Sequence, residues 1–244
     1  MFNLLITGAS RGIGLELARQ YAQYGLGNGQ PVQVIATCRD PDNAPLLQAL
    51  QQSLQAADQH NLTIRQLDVT NEAAVKAFAK SINGSTGKTA IDILINNAGM
   101  YGENAPLLPV NVALWQQVFQ VNAIAPVLLT QQLTDNLQQS QLKKVVTISS
   151  DMGSIAANTG GGAYLYRSSK SALNAAMFSL SLDFKPLGIT VMMLHPGHVQ
   201  TDMGGPNAKV SVADSVAGLR QVIDQINIDQ TGAFRNWKGD PMPW

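Results

Sequence analysis

Tyr166 and Lys170 are the residues of this sequence whose types and spacing most directly suggest chemistry. They are four residues apart in a helical pattern that follows the glycines at 160–162 and continues to about Phe184, so they lie on one helix face. A phenol, with an ordinary pKa of about 10, is a weak acid at neutral pH, and a neighbouring ammonium lowers that pKa toward the range that general acid catalysis needs. The same spacing is common in helices where the tyrosine packs and the lysine is solvated. The rest of the chain has to decide between these interpretations.

A glycine-rich turn follows the first apolar segment of the chain. Residues 2–7 are typical of a buried strand, and Gly8, Gly12 and Gly14 come next, followed by a helical pattern to about Tyr24. In this context Gly8 allows a tight turn, while Gly12 and Gly14 let the backbone approach a pyrophosphate whose charge the helix N-terminus stabilises. A plain turn would also explain the glycines, but their position directly after a strand favours a dinucleotide site.

The end of the second predicted strand, residues 32–37, bears on the choice of dinucleotide. An acid at this point binds the ribose hydroxyl of NAD, whereas an arginine suits the 2′-phosphate of NADP. The sequence here is Thr37-Cys38-Arg39, without an acid, and both Arg39 and Arg11 are placed to bind a phosphate in a bidentate manner. Asp40 is the one competing carboxylate, and we expect it to begin the next loop. NADP is therefore the predicted cofactor.

Polar residues follow several further predicted strands. Asp68, after the strand at 62–67, could bind an adenine amino group or serve as a helix cap or turn carboxylate. The strand at 91–95 ends in Asn96-Asn97-Ala98-Gly99, at the edge where parallel sheets bind ligands. Asn122 lies inside the helical pattern at 111–137, where asparagine is unfavourable, so it needs either a local capping role at a kink near Pro126 or a functional one.

The alternation of strands and helices continues through the strands at 144–148 and 189–194 to a short strand near 232–235, without a break in composition. This predicts an α/β fold, a single doubly wound Rossmann-type domain over residues 1–244 with a mostly parallel sheet.

Composition excludes several classes of function. Hydrophobic residues make up 45% of the 244 residues, and the 16 basic and 16 acidic residues cancel, which argues against nucleic acid or an anionic membrane as a partner. No uninterrupted apolar run approaches the roughly 18 residues of a membrane span, and Met1 leads directly into an apolar run, which predicts no signal peptide. The single cysteine, Cys38, fits a reducing cytoplasm. His195 and His198 have no third ligand at metal spacing, so we expect no metal site.

Taken together, these motifs resemble the short-chain dehydrogenase/reductase family. They are Thr7-Gly-Ala-Ser-Arg-Gly-Ile-Gly14, Asn96-Asn-Ala-Gly99, Ser150, Tyr166-x-x-x-Lys170 and Pro196-Gly197, in that order. The segments 36–40, 164–174 and 195–205 are more narrowly similar to the C-factor/sniffer-like carbonyl reductases of that family.

The resemblance implies a seven-stranded Rossmann sheet and the transfer of a hydride from NADPH to a carbonyl carbon. By motif, the implied catalytic residues are Asn122, Ser150, Tyr166 and Lys170. The implied cofactor contacts are Gly8, Ser10, Arg11, Gly12, Ile13, Gly14, Arg39, Asp68, Val69, Asn97, Ala98, Gly99, Tyr166, Lys170, Pro196, Gly197, Val199 and Thr201. In this scheme Lys170 lowers the pKa of Tyr166, Asn122 holds a water, and residues 198–209 form a mobile lid. The implied assembly is a homodimer or homotetramer paired through the helices at 111–137 and 163–184.

Two departures from the family pattern affect the substrate pocket. Ser150 and Tyr166 are 16 residues apart, slightly more than is common, and His198 and Gln200 stand where the subgroup usually has tryptophan and arginine. Two other functions stay open: an NAD(P)-dependent alcohol or 3-oxoacyl oxidoreductase that uses the same four residues, and a nucleotide-binding signalling protein of the C-factor type.

Overall fold

The computed structural model describes residues 1–59, 61–83, 87–103 and 109–244. Its described strands form one seven-stranded sheet in the order β3-β2-β1-β4-β5-β6-β7, and every pair of neighbours is parallel. The strands are β1 (Phe2–Ile6), β2 (Val32–Cys38), β3 (Leu62–Gln66), β4 (Ile93–Asn96), β5 (Lys144–Ile148), β6 (Thr190–His195) and β7 (Phe234–Asn236). The predicted fold class, a doubly wound parallel sheet, is confirmed.

Eight α-helices connect and flank the described strands. They are α1 (Gly12–Tyr24), α2 (Pro45–Ala56), α3 (Glu72–Ile82), α4 (Val112–Phe119), α5 (Ala125–Gln132), α6 (Thr134–Gln138), α7 (Tyr164–Phe184) and α8 (Val212–Gln225). The long helices bury the apolar residues that recur with helical periodicity in their sequences. In α2 these are Leu47, Leu50 and Leu54.

Apolar cores cover both faces of the sheet. One contains Leu4, Ile6 and Val34 with the buried faces of α1, α2 and α8, and the other contains Leu5 and Leu94 with parts of α3, α5 and α7. Because both faces are covered, the central strands are apolar along their whole length instead of alternating. The strand order reverses at β1, which pairs with β2 on one side and β4 on the other. This switch point is where such sheets bind ligands.

The helical region at 112–132 is interrupted earlier than the sequence suggested. A π-helical turn (Gln120–Ile124) separates α4 from α5, and Pro126 lies in the first turn of α5, where its missing N–H costs little. Asn122 is therefore carried by the π turn, a feature often found at functional sites.

The same region bears on the expectation that the chain has no membrane-spanning stretch. Within the described ranges one helical segment, Val112–Gln132, is long and apolar enough to cross a membrane by length and composition alone. The sequence expectation considered only uninterrupted apolar runs, and it did not single out this segment because glutamines and Asn122 lie between its apolar residues. A core helix of a soluble protein passes the same test, and the fully buried Asn122, which bonds to α7, fits that explanation.

Candidate active site

Tyr166 and Lys170 project from the first turns of α7, directly after the loop that ends in the three glycines. The side chains of both are buried, at 8% and 4% exposure, and the Lys170 ammonium lies 5.7 Å from the centre of the Tyr166 ring. Tyr164, the neighbouring alternative, is 40% exposed. The predicted pair is therefore brought together inside the protein, and Tyr164 is not part of it.

The expected effect of Lys170 on Tyr166 is not found in this structure. Burial raises the pKa of Tyr166 to about 12, a hydrogen bond with Ser150 opposes this, and the charge of Asp151 and the nearby Tyr101 raise the pKa further. Burial also lowers the pKa of Lys170 to about 8, and its ammonium donates to the carbonyl of Ile148 at 2.8 Å. The sequence argument considered the neighbouring charge but not the desolvation of both groups.

Ser149 and Ser150, which follow β5, have different partners. The Ser149 hydroxyl donates to Oδ1 of the buried Asn174 at 2.6 Å and is engaged in the core. The Ser150 hydroxyl donates to Oδ1 of Asp151 at 3.0 Å and accepts from the amide of Met152 at 3.1 Å. Of the two serines, Ser150 is the one whose side chain forms a hydrogen bond with Tyr166.

Asn122 connects the loop after β4 to α7. Its Oδ1 accepts from the Met100 amide at 2.9 Å, and its Nδ2 donates to the Met100 carbonyl at 2.8 Å and to the Ser169 hydroxyl at 3.0 Å. Both amide hydrogens are therefore used within the protein. Gly99 lies beside both groups: a Cβ there would be in ordinary contact, 3.5 Å from Asn122 Oδ1 and 3.9 Å from Lys170 Nζ.

The glycine turn and the Asn97 loop are joined across the switch point. The Thr7 hydroxyl accepts from the amides of Asn97 and Ala98, both at 3.0 Å, and Asn97 Nδ2 donates to the carbonyls of Thr7 and Gly8 at 2.9 and 3.1 Å. The side chain of Asn97, predicted as a cofactor contact, is thus engaged in holding the turn. Thr7 belongs to the glycine motif, but no role was predicted for its side chain from the sequence. Its position at the end of β1 could have indicated a contact with the neighbouring Asn97 loop.

The turn fits a pyrophosphate group. Gly8 has a φ of +66°, and a Cβ on it would lie 2.8 Å from Ala98 Cα. The N-cap of α1, Arg11, makes no side-chain capping bond, and the first turn of α1 carries no acid. The first amides and the positive end of the helix dipole are therefore not used by a side-chain cap. Ser10 and Ile13, both partly buried, belong to the same turn.

Gly14 provides a direct test of this packing. A Cβ on Gly14 would lie 2.3 Å from the Gly8 carbonyl oxygen and 2.4 Å from Asn97 Nδ2, so Gly14→Ala must displace the turn. We expect a loss of stability of about 1–3 kcal/mol and a loss of nucleotide binding, measured by thermal unfolding and by titration with NADPH. Gly160→Ala is the matched control, because a Cβ there meets nothing within 4 Å. Equal behaviour of the two variants would contradict the close packing of the turn.

The residues predicted to bind the adenosine end lie at the ends of β2 and β3. Arg39 follows the last residue of β2 and its side chain is exposed, whereas Arg11 forms an ion pair with Asp202 at 3.2 Å. Asp40 accepts from the Asn43 side-chain amide at 2.6 Å and so begins the loop, as expected. Asp68 Oδ1 accepts from the amide and hydroxyl of Thr70, so it acts as a turn carboxylate beside the buried Val69.

The segment after β6 lies against the glycine turn. A Cβ on Gly12 would come 3.4 Å from Thr201 Cγ2, which places Thr201 beside the turn. Val199 forms a bridge with Val210, and the Pro196 carbonyl before Gly197 accepts from the Ser215 hydroxyl at 2.6 Å. These bonds tie the ends of the 198–209 segment to each other and to α8, and the lid expected there stays a prediction.

A groove of about 500 Å³ also borders the glycine turn. It lies between α1 and α2, with Gly12, Leu15 and Leu46 among its walls, and Tyr166 is not one of them. It is therefore separate from the centre formed by Ser150, Tyr166 and Lys170. In the part of the chain that the structure describes, no three His, Cys, Asp or Glu side chains are grouped so that they could hold a metal ion.

Comparison with known protein families identifies the family of this chain. Residues 3–211 match the family model described as short chain dehydrogenase. The chain belongs to the short-chain dehydrogenase family. It is an oxidoreductase of that family, and the resemblance read from the motifs is confirmed.

Two solved carbonyl reductase structures match the chain over almost its full length, and one curated relative matches over part of it. The carbonyl reductase Sniffer of D. melanogaster is 35% identical, each chain is covered to 100%, and the TM-score is 0.91. The NADPH-bound carbonyl reductase from chicken fatty liver is also 35% identical, with coverage of 99% of this chain and 98% of that one and a TM-score of 0.88. The protein named C-signal from Myxococcus xanthus is 45% identical over 170 residues, which are 70% of this chain and 100% of that relative.

Proposed function

We propose that the protein is an NADPH-dependent carbonyl reductase in which Tyr166 is the proton donor. The observation that carries this proposal is the buried cluster of Tyr166, Ser150 and Lys170 at the carboxyl edge of the sheet, connected to the glycine turn through Gly99 and Ala98. The two similar solved structures are both named carbonyl reductases, and one is described as NADPH-bound. The glycine turn and the exposed Arg39 support NADPH as the cofactor of this chain.

In this proposal bound NADPH supplies the hydride that reaches the carbonyl carbon. Tyr166 donates its proton to the carbonyl oxygen, and a pKa above neutrality keeps that proton in place until negative charge develops on the substrate. Ser150 donates a second hydrogen bond to the same oxygen once its single hydroxyl hydrogen turns away from Asp151 Oδ1, to which it donates in the structure.

Lys170 and Asn122 support this proton transfer. Lys170 remains close to the Tyr166 ring and carries the compensating positive charge. Because both amide hydrogens of Asn122 are used by Met100 and Ser169, its proposed water would bind to its backbone carbonyl.

The experiment that tests the proposal follows the loss of NADPH absorbance with a panel of quinones, diketones and aldehydes. Tyr166-dependent turnover of a quinone, diketone or aldehyde from this panel supports it. Activity confined to 3-oxoacyl thioesters, or to alcohols supplied with NADP⁺ and followed by the appearance of NADPH, would favour the alternative oxidoreductase.

A second candidate function, in signalling, is favoured by the 45% identity to a protein named C-signal. A nucleotide-binding signalling protein has no need for a buried tyrosine and lysine pair beside a serine, which is the argument for the enzyme. Tight NADPH binding with no turnover across the panel would favour the signalling candidate.

The remaining features are proposed on different grounds. The strands of one sheet extend along the chain from Phe2 to Asn236, which supports a single nucleotide-binding domain over 1–244.

Exposed apolar side chains on α4 and α7, among them Val112, Phe178 and Leu182, support a homodimer or homotetramer. The molecular mass in solution tests this. A cytoplasmic location and the absence of membrane and nucleic-acid partners stay predictions.

A further inference from the structure

Asp151 places a carboxylate directly beside the proposed reacting groups. It follows Ser150 in the chain, and its Oδ1 accepts from the Ser150 hydroxyl at 3.0 Å and from the Met152 amide at 2.8 Å. Its side chain is nevertheless 55% exposed. A substrate whose carbonyl oxygen reached Ser150 would therefore lie within a few ångströms of an accessible negative charge.

Among the described residues, no lysine or arginine forms an ion pair with Asp151. His195 Nδ1 is 3.8 Å from Asp151 Oδ1, but that nitrogen accepts the Asp151 amide hydrogen at 3.1 Å and so carries no proton. Burial also lowers the pKa of His195, which keeps the ring neutral. The ammonium of Lys170 and the guanidinium of Arg167 keep their positive charges, but they donate to the backbone carbonyls of Ile148 and Gly161 and not to Asp151.

The loops that follow the carboxyl ends of β4, β5 and β6 add little positive charge. Across residues 100–109, 151–163 and 198–209, the acids are Glu103, Asp151 and Asp202 and the one basic residue is Lys209. Asp202 is already paired with Arg11. With Asp202 paired, these three segments have two acids against one base in sequence, so they bring little positive charge to offset Asp151.

An aromatic surface lies beside the carboxylate. The rings of Tyr101 and Tyr166 have centres 4.7 Å apart and planes tilted by 32°. Aromatic faces attract cations and flat neutral groups, and they offer no attraction to a carboxylate or phosphate.

We propose that Asp151 is a specificity-determining residue that admits neutral and cationic carbonyl compounds and disfavours those carrying a carboxylate or phosphate. This inference rests on the proposed carbonyl reductase function. The charge of Asp151 acts on the substrate through space, so its effect must depend on the charge of the substrate and decrease with ionic strength.

The test compares three benzaldehydes with a para carboxylate, methyl ester or trimethylammonium group, assayed with wild-type protein and with Asp151→Asn. Asparagine keeps an oxygen that can accept from Ser150 but removes the charge. Because the aldehydes differ in intrinsic reactivity, the quantity to read is kcat/KM relative to the neutral ester, compared between the two proteins. We expect the relative value for the anion to rise by about 5- to 30-fold and that for the cation to fall by a similar factor, the range for charges ~5 Å apart in a half-exposed site. Both changes should shrink in about 1 M salt.

Asp183→Asn is the matched control. It removes the same charge from the exposed end of α7, about 25 Å from Tyr166 along the helix axis, and should leave both ratios unchanged. The proposal is wrong if Asp151→Asn leaves the ratios unchanged or if Asp183→Asn changes them equally.

Binding measurements separate a failure of this inference from a failure of the proposed function. The three aldehydes are titrated into NADPH-loaded Tyr166→Phe protein, with and without Asp151→Asn, and the fluorescence of NADPH is followed. If the wild type reduces none of them, the carbonyl reductase proposal fails for this class. The binding ratios then still decide the role of Asp151: a charge-dependent change supports it and equal ratios overturn it.

Discussion

Tyr166→Phe is expected to lower kcat for carbonyl reduction by about 10²- to 10⁴-fold, the usual contribution of a positioned general acid. Phenylalanine keeps the ring that packs against Tyr101 and removes only the hydroxyl that bonds to Ser150. The fold and the affinity for NADPH should therefore change little. Stopped-flow measurement of NADPH oxidation, together with NADPH titration and thermal unfolding, separates the loss of chemistry from a loss of binding or stability.

Tyr164→Phe is the matched control, since Tyr164 lies two residues earlier on the same helix but is largely outside the core. It should keep wild-type turnover. A Tyr166→Phe variant that reduces substrate as fast as the wild type would show that another group donates the proton.

The pKa of Tyr166 determines how this residue acts. With its pKa raised by burial to about 12, the phenol is protonated at neutral pH, which suits a proton donor in the direction of reduction. Lys170, with a pKa of about 8, changes its charge within the accessible range. Loss of the ammonium above this pKa removes the positive charge beside Tyr166, so we expect reduction to slow on the alkaline side because of Lys170.

The sequence allowed the fold to be predicted closely because apolar runs and glycine turns are local signals. The start of α7 after the three glycines and the end of β2 before Arg39 follow directly from such signals. The π turn at 120–124 could not be found in this way, since the apolar periodicity of the 111–137 segment hardly changes across it. Burial is also a property of the whole fold, so the direction of the Tyr166 pKa shift could not be obtained from its spacing to Lys170.

The candidate site was predictable as a set of residues but not as a set of contacts. Ser149 and Ser150 are equivalent in sequence, and only the fold gives one of them a buried partner in Asn174. Asn97 and Thr7 are 90 residues apart in sequence, so their mutual bonds have no local signature. The charge of Asp151 was visible in the sequence, but its exposure and its bond to Ser150 depend on the short 3₁₀ turn (Asp151–Gly153) that begins there.

Arg39→Asp is expected to weaken NADPH binding by about 100-fold and NADH binding by little. A bidentate bond between a guanidinium and a phosphate is worth about 1.5–3 kcal/mol, and reversing the charge adds repulsion to that loss. Among the described residues Arg39 makes no ion pair, so its guanidinium can turn to a 2′-phosphate without breaking another bond. NADH lacks that phosphate, and an acid at the end of β2 would bind its ribose hydroxyl instead. Titration of each nucleotide, followed by fluorescence, gives both dissociation constants.

Two further variants make the assignment specific to Arg39. Lys185→Asp reverses a charge near the amino end of β6, at the opposite edge of the sheet, and should leave the preference between the nucleotides unchanged. Arg11→Gln should weaken NADPH binding less than Arg39→Asp, because the guanidinium of Arg11 is already shared with Asp202. If Arg39→Asp weakened NADPH and NADH equally, the 2′-phosphate would have to be bound elsewhere, and Arg11 would be the next residue to consider because it lies at the glycine turn.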